Sequence, residues 1–216
     1  MKPILFNTEM VRAVLDGTKA MTRRPIEPQP LEDVNRVIME TGLEKTVRAK
    51  FMAHTYDLSR YQSPPHNVGD ILYVRETFTV YQTVNYVRAY DGRSFSESSD
   101  GQYAYKADGY DGIEDLCDHI RLMSDCSLEK VFIKDDRWFP SIHMPKEAAR
   151  LFLCVTALKA ERVQDISEAD AIAEGFESRD GFKDFWIDKY GKESWERNDW
   201  VWAYTLKRID KSEVEK

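Results

Sequence analysis

Apolar residues along this chain fall into short runs at strand spacing, broken by a few segments at helical spacing. Ile4-Leu5-Phe6 reads as a strand leading into Met10-Val11-Arg12-Ala13-Val14-Leu15-Asp16, where the apolar positions predict a helix. Asn7 or Thr8 is placed to cap its start, and Gly17 to end it in a left-handed turn. Pro25, Pro28 and Pro30 then force an extended exit. Residues 31–68 are mixed and close in the breaker cluster Ser63-Pro64-Pro65-His66. Ile71-Leu72-Tyr73-Val74, Thr77-Phe78-Thr79-Val80-Tyr81 and Tyr103-Ala104-Tyr105-Lys106 read as strands, the first entered through a Gly69-Asp70 turn. Leu151 to Leu158 predicts a buried strand, and Trp200 to Leu206 a closing one. Asp165 or Ser167 starts a helix, with Ser167-Glu168-Ala169-Asp170 in the form of a capping box. Phe182 to Tyr190 repeats apolar residues at three and four, which predicts a further helix. The interval from Asp91 to Asp136 is rich in Gly, Ser and Asp and reads as an insertion made mostly of loops. This order is that of an α+β protein, read as one domain over residues 1–210 with a charged tail at 211–216.

Composition narrows the function. The chain has 216 residues, 42% hydrophobic and 12% aromatic, enough for a packed core, and no apolar run approaches the ~20 residues of a membrane span. No long apolar segment of a secretory signal stands at the N-terminus, and the three cysteines do not suggest a disulfide framework, so a cytoplasmic protein is expected. The net charge of −7 is concentrated: residues 91–136 carry 12 acids and 5 bases. Residues 1–30 carry 5 bases and 3 acids, and residues 137–162 carry 5 and 2. A local basic cleft fits this distribution; a broad stripe coating a duplex does not.

The chemistry-bearing stretch is Gly17-Thr18-Lys19-Ala20-Met21-Thr22-Arg23-Arg24. A lysine beside a hydroxyl can act as base and nucleophile, and guanidiniums can hold an anion. From composition alone the same residues read as a solvated basic loop, since charge clusters usually face water. Cys117-x-His119 with Cys126 is a partial zinc set without a fourth ligand at a typical spacing, so no metal is expected, and no glycine-rich phosphate loop is present.

Gly17-x-Lys19-x-x-Thr22-x-Arg24 resembles the motif of the ASCH domain family, within the PUA-like superfamily of small RNA-binding β-barrels. Gly69 to Phe78, Trp138 to Pro145 with Ala148-Ala149-Arg150, Asp165 to Gly175, and Asn198 to Leu206 resemble further blocks of its longer phage and prophage members, in family order. The resemblance implies a PUA-like pseudobarrel of about five to six strands with flanking helices and an acidic loop insertion. Small bacterial members remove the acetyl group from N(4)-acetylcytidine with a lysine, a threonine three residues later and a downstream glutamate. Lys19 and Thr22 match the first two, and Glu174, or else Glu168, the third. The implied function is amide hydrolysis on an N-acylated cytidine-type nucleoside without a cofactor. A non-catalytic RNA or modified-base reader and a ribonuclease are the alternatives. For contacts to RNA or a modified nucleoside, Arg23, Arg24, Arg75, Lys146 and Arg150 are the cationic candidates, Trp138, Tyr73 and Phe78 the stacking platforms, and His143 a polar contact or acid–base group.

Overall fold

Asn7 opens the first helix: its side-chain oxygen accepts the Met10 amide at 2.8 Å. Gly17 ends that helix at φ +79°, a left-handed conformation that a Cβ would strain, and its amide donates to the Val14 carbonyl. The computed structural model describes residues 1–30, 34–41, 47–53, 60–88, 94–98, 101–123 and 128–214. In chain order its first elements are β1 (Lys2–Leu5), α1 (Thr8–Leu15), β2 (Met21–Pro25), β3 (Val34–Thr41), β4 (Val47–Ala53), β5 (Arg60–Gln62) and β6 (Ile71–Arg75). Then come β7 (Phe78–Arg88), β8 (Ser94–Ser98), β9 (Gln102–Tyr105), α2 (Ile113–Met123) and β10 (Leu128–Ile133). The last are β11 (Phe152–Arg162), α3 (Glu168–Ala173), α4 (Arg179–Tyr190), α5 (Lys192–Glu196), β12 (Trp200–Ile209) and α6 (Lys211–Val214). This is an α+β architecture. Among the described residues its sheets run as open paths, with no closed barrel.

The chain divides into two compact units. The first comprises Met1–Lys2, Ala13–Tyr73 and Arg150–Lys216, and the second Pro3–Arg12 and Val74–Ala149.

The main sheet has the order β1-β6-β11-β12-β2, which leaves β2 at an edge. Its backbone is the long antiparallel ladder of β11 on β12, from Phe152 opposite Ile209 to Arg162 opposite Trp200, with an irregularity between Val155 and Ala157. On β12, Val201 packs with Val163, Ile166, Ala171, Phe182 and Trp186, so this face is covered by α3 and α4. The neighbouring Trp200 points the other way by the alternation of a strand and meets Phe51 of β4 edge-on at 5.3 Å. The β3-β4-β5 sheet therefore covers the opposite face. Ser167 caps α3 by accepting the Asp170 amide, and Ser178 caps α4 by accepting the Gly181 amide.

In the second unit β7 is the organising strand, paired with β10, β8 and β9. Helix α2 packs Leu116 against Ala104 of β9 and Ile133 of β10. The expectation of an insertion made mostly of loops is corrected here: residues 91–136 carry β8, β9, α2 and β10. Ile113, Leu116, Cys117 and Ile120 form an apolar stripe at helical spacing, which Glu114, Asp115 and Asp118 between them conceal in the linear sequence.

Candidate active site at the head of β2

The loop after α1 is fixed by its main chain. The Lys19 amide donates to the Ala13 carbonyl at 2.9 Å, and the Ala20 amide to the Ala173 carbonyl at the end of α3 at 2.7 Å. The close approach depends on Gly175: at φ +91°, a Cβ on it would lie 3.0 Å from the Ala13 Cβ and 3.7 Å from that of Lys19. Gly17-x-Lys19 and Ala173-Glu174-Gly175 are thus two sides of one contact.

Inside that contact Lys19 Nζ donates to the Glu174 carbonyl oxygen at 2.7 Å, to the Met21 carbonyl oxygen at 2.9 Å and to Glu174 Oε2 at 3.1 Å. Arg23 lies beside it. Its Nη1 reaches Glu174 Oε1 at 3.3 Å, its Nη2 Asp170 Oδ2 at 2.6 Å and its Nε Glu161 Oε1 at 2.8 Å. Both cationic side chains are 0% exposed, and Glu174 is 3% exposed. Toward solvent the cluster continues through Asp170, 24% exposed, to Lys159, 50% exposed, which pairs with Glu161 at 2.7 Å. Burial lowers the pKa of Lys19 despite the opposing attraction of Glu174, with Arg24 and Arg23 adding to the lowering. For Arg23 burial acts the same way, but Glu161, Glu174 and Asp170 outweigh it and raise the pKa.

Register separates the neighbours of Arg23 from it. Ala203 stands opposite Arg23, Tyr204 opposite Thr22 and Trp202 opposite Arg24. Side chains alternate along a strand, so Arg23 faces α3 while Thr22 and Arg24 share the other face with Tyr204. There the Tyr204 ring meets His66 edge-on at 5.8 Å. Among the described residues the Tyr204 hydroxyl and His66 Nδ1 are both buried without a full hydrogen bond, with the His66 main chain near the hydroxyl. Burial raises the tyrosine pKa and lowers that of His66, where the charge of Lys2 adds to the effect, so both are held neutral at pH 7. Orphaned buried polar atoms are uncommon and mark places where a further polar group fits.

Lys189, at the end of α4, is a site residue that the sequence did not single out. Its ammonium lies 5.4 Å from the Phe185 ring centre and 5.3 Å from that of Tyr190. Desolvation first, then the charges of Arg24 and Lys19, lower its pKa to about 8 against the pull of Glu174. The available signal was Phe185-x-x-x-Lys189, which puts an aromatic ring and a cation on one helix face.

No family model, curated protein or solved structure matches this chain.

The two candidate carboxylates separate clearly. Glu174 contacts Lys19, whereas Glu168 is exposed at the start of α3, where it accepts the Arg179 amide. Of the other nominated residues, Tyr73 stands opposite Phe152 in the main sheet, and Arg150 is half-buried just before β11. Arg75, Trp138, His143 and Lys146 belong to the second unit. Arg75 donates to the main-chain oxygens of Met144 and Ile142, so it braces a turn. Trp138 packs against the α2 core and stacks with Tyr110 at 6.4 Å. Lys146 and His143 are exposed, and Phe78 is buried beside Phe139. Cys126 lies outside the described residues. Cys117 is a free thiol and His119 packs on Tyr110; among the described residues no three metal-ligating side chains gather. No described helix is long and apolar enough to cross a membrane.

Proposed function

We propose that this chain is an ASCH-family protein of PUA-like fold that hydrolyses the N-acyl group of a cytidine-type nucleoside at the head of β2. The observation that carries the reading is the buried Lys19 bonded to Glu174, with burial lowering the lysine pKa toward the range where an amine can accept a proton. Thr22 Oγ attacks the acyl carbonyl carbon while Lys19 takes the hydroxyl proton. Thr22 and Glu174 lie on opposite faces of β2, so Glu174 holds Lys19 in place and Lys19 itself delivers the proton to the exocyclic nitrogen as the C–N bond breaks. Water then attacks the threonyl ester, Lys19 accepts one of its protons, and that proton returns to Thr22 Oγ as the carboxylic acid leaves. The unpartnered Tyr204 hydroxyl and His66 Nδ1 on the Thr22 face suit the polar edge of a base. Arg24 and Lys189 supply positive charge nearby.

The test is chromatographic turnover of N(4)-acetylcytidine by wild type, Lys19→Met and Thr22→Val, with circular dichroism as the control for folding. Conversion by wild type and none by the folded variants is expected; conversion by folded Lys19→Met would overturn the mechanism. A non-catalytic base reader is the second reading, favoured by the burial of Lys19, Thr22 and Glu174, all at 5% exposure or below. It predicts nucleoside binding without turnover, reduced in Tyr204→Phe.

A further inference from the structure

The second unit holds a cavity of about 440 Å³ whose lining includes Phe78, Tyr103, Phe139, Lys134, Arg137 and His143. This lies within the ~300–1,000 Å³ range of small-molecule pockets. Its aromatic wall is built by the main chain: Phe139 donates to the Phe78 carbonyl at 2.7 Å and accepts the Phe78 amide at 3.1 Å. The two rings stand 5.6 Å apart, and Tyr103, brought beside Phe78 by the β9–β7 ladder, adds a third at 6.0 Å.

Cations are aimed over this wall. The Arg137 guanidinium lies 4.9 Å from the Phe139 ring centre and Lys134 Nζ 5.7 Å from it. Both side chains come from a turn held in an uncommon backbone conformation, with Asp135 at φ 55° and Asp136 at φ 45°. Consecutive left-handed residues other than glycine persist only where surrounding bonds hold them, and such strain gathers at ligand sites. Here the buried Thr79 hydroxyl donates to the Arg137 carbonyl at 2.9 Å, and Arg75 pins the turn that carries His143. Among the described residues Arg137 pairs with Asp135 at 3.7 Å, both side chains more than half exposed, a pair that solvent screens.

A cluster of three aromatic rings with cations beside it suits a planar heteroaromatic ring that carries a phosphate. We infer that this pocket binds one nucleotide, base against Tyr103 and Phe139 and phosphate toward Lys134 and Arg137. The pocket is independent of the chemistry assigned to Lys19. The nucleotide can be free or part of a single strand, and the two share the same recognition.

Calorimetric titration of the full chain with cytidine, CMP, inorganic phosphate and a single-stranded pentacytidylate tests it. CMP is expected to bind more tightly than cytidine or phosphate. A pentanucleotide tighter than CMP identifies a strand as the natural ligand, and equal affinity a free nucleotide. Tyr103→Ala is expected to weaken CMP between about fivefold and a hundredfold. The double variant Lys134→Ala/Arg137→Ala is expected to weaken CMP while leaving the weaker cytidine binding unchanged. Lys19→Met should leave CMP binding at the pocket intact, which separates this inference from the proposed hydrolysis. Absence of CMP and pentacytidylate binding, or affinity indifferent to all of these pocket substitutions, would overturn it.

Discussion

The cluster at the head of β2 and the ring-lined pocket of the second unit hold their cations in opposite environments. Lys19 and Arg23 are 0% exposed, and three carboxylates from Glu161, Asp170 and Glu174 surround them. Lys134 and Arg137 are exposed and lie over an aromatic ring, and Arg137 meets a carboxylate that solvent screens. A buried cation without its partner costs several kcal/mol, so the first arrangement must be complete before any ligand arrives. An exposed cation on a ring keeps its water and can exchange it for an anion. The first region is therefore suited to moving protons among its own groups, and the second to capturing charge from outside.

The sharpest way to break this contrast is to unbalance the buried cluster. Glu174 is the group shared by Lys19 and Arg23, so Glu174→Gln leaves two buried cations short of charge. We expect a loss of about 3–5 kcal/mol in urea denaturation. Lys19→Met leaves Glu174 paired with Arg23 and should cost less, on the order of 2 kcal/mol. If the Lys19 variant proves the more damaging, Glu174 is not the hub. Ser167→Ala acts one step further out by uncapping α3, the helix that carries Asp170 and leads into Glu174. A cost of about 1 kcal/mol is expected. Slower turnover should accompany it, because the carboxylates lose part of their support; an unchanged rate would mean that the cluster does not depend on that cap.

How much of each region could be read beforehand follows from the same contrast. Lys19 and Thr22 are legible as a lysine beside a hydroxyl just past Gly17, and Glu174 only through the family resemblance; Lys19 and Glu174 each lie within two residues of a glycine at positive φ, Gly17 and Gly175. The separation of Thr22 from Arg23 by the faces of β2 was not legible, because a run of Thr and Arg has no apolar alternation to show a strand. The aromatic pocket was hidden for a different reason. Its parts come from β7, β9 and two turns, and Phe78, His143 and Trp138 had been grouped with the Lys19 site. Alternation turns Trp138 to the α2 core and Phe139 to the cavity, a distinction that needs the strand pairing. Helix α2 escaped notice because acidic residues fill the gaps in its apolar stripe.

Lys189 lies between the two extremes, exposed along its length but with its amine desolvated near Arg24. Its pKa falls to about 8, below the roughly 10.4 of an unfolded chain. Below pH 8 both states carry the proton, and the folded state bears the penalty of the charge. Between about 8 and 10.4 the unfolded state binds more protons, so this contribution to stability rises with pH. A titration of the lysine side chain by NMR should give a midpoint near 8, shifted upward in Arg24→Gln. An ordinary lysine midpoint in wild type would remove Lys189 from the site.

The smallest effect should come from the strained turn, and its sign is what matters. Asp136→Gly relieves a left-handed φ of 45°, while glycine adds conformational freedom to the unfolded chain. These terms nearly cancel, leaving a net gain on the order of 0.5 kcal/mol. The same freedom loosens the turn that aims Lys134 and Arg137 over Phe139. If the strain serves the pocket, stability rises slightly while CMP affinity falls, since the cations must then be ordered on binding. A variant that gains stability and keeps its affinity would show that Thr79 alone holds the turn. Fixed cations over the rings would then need no strain, and the two regions would differ in exposure only.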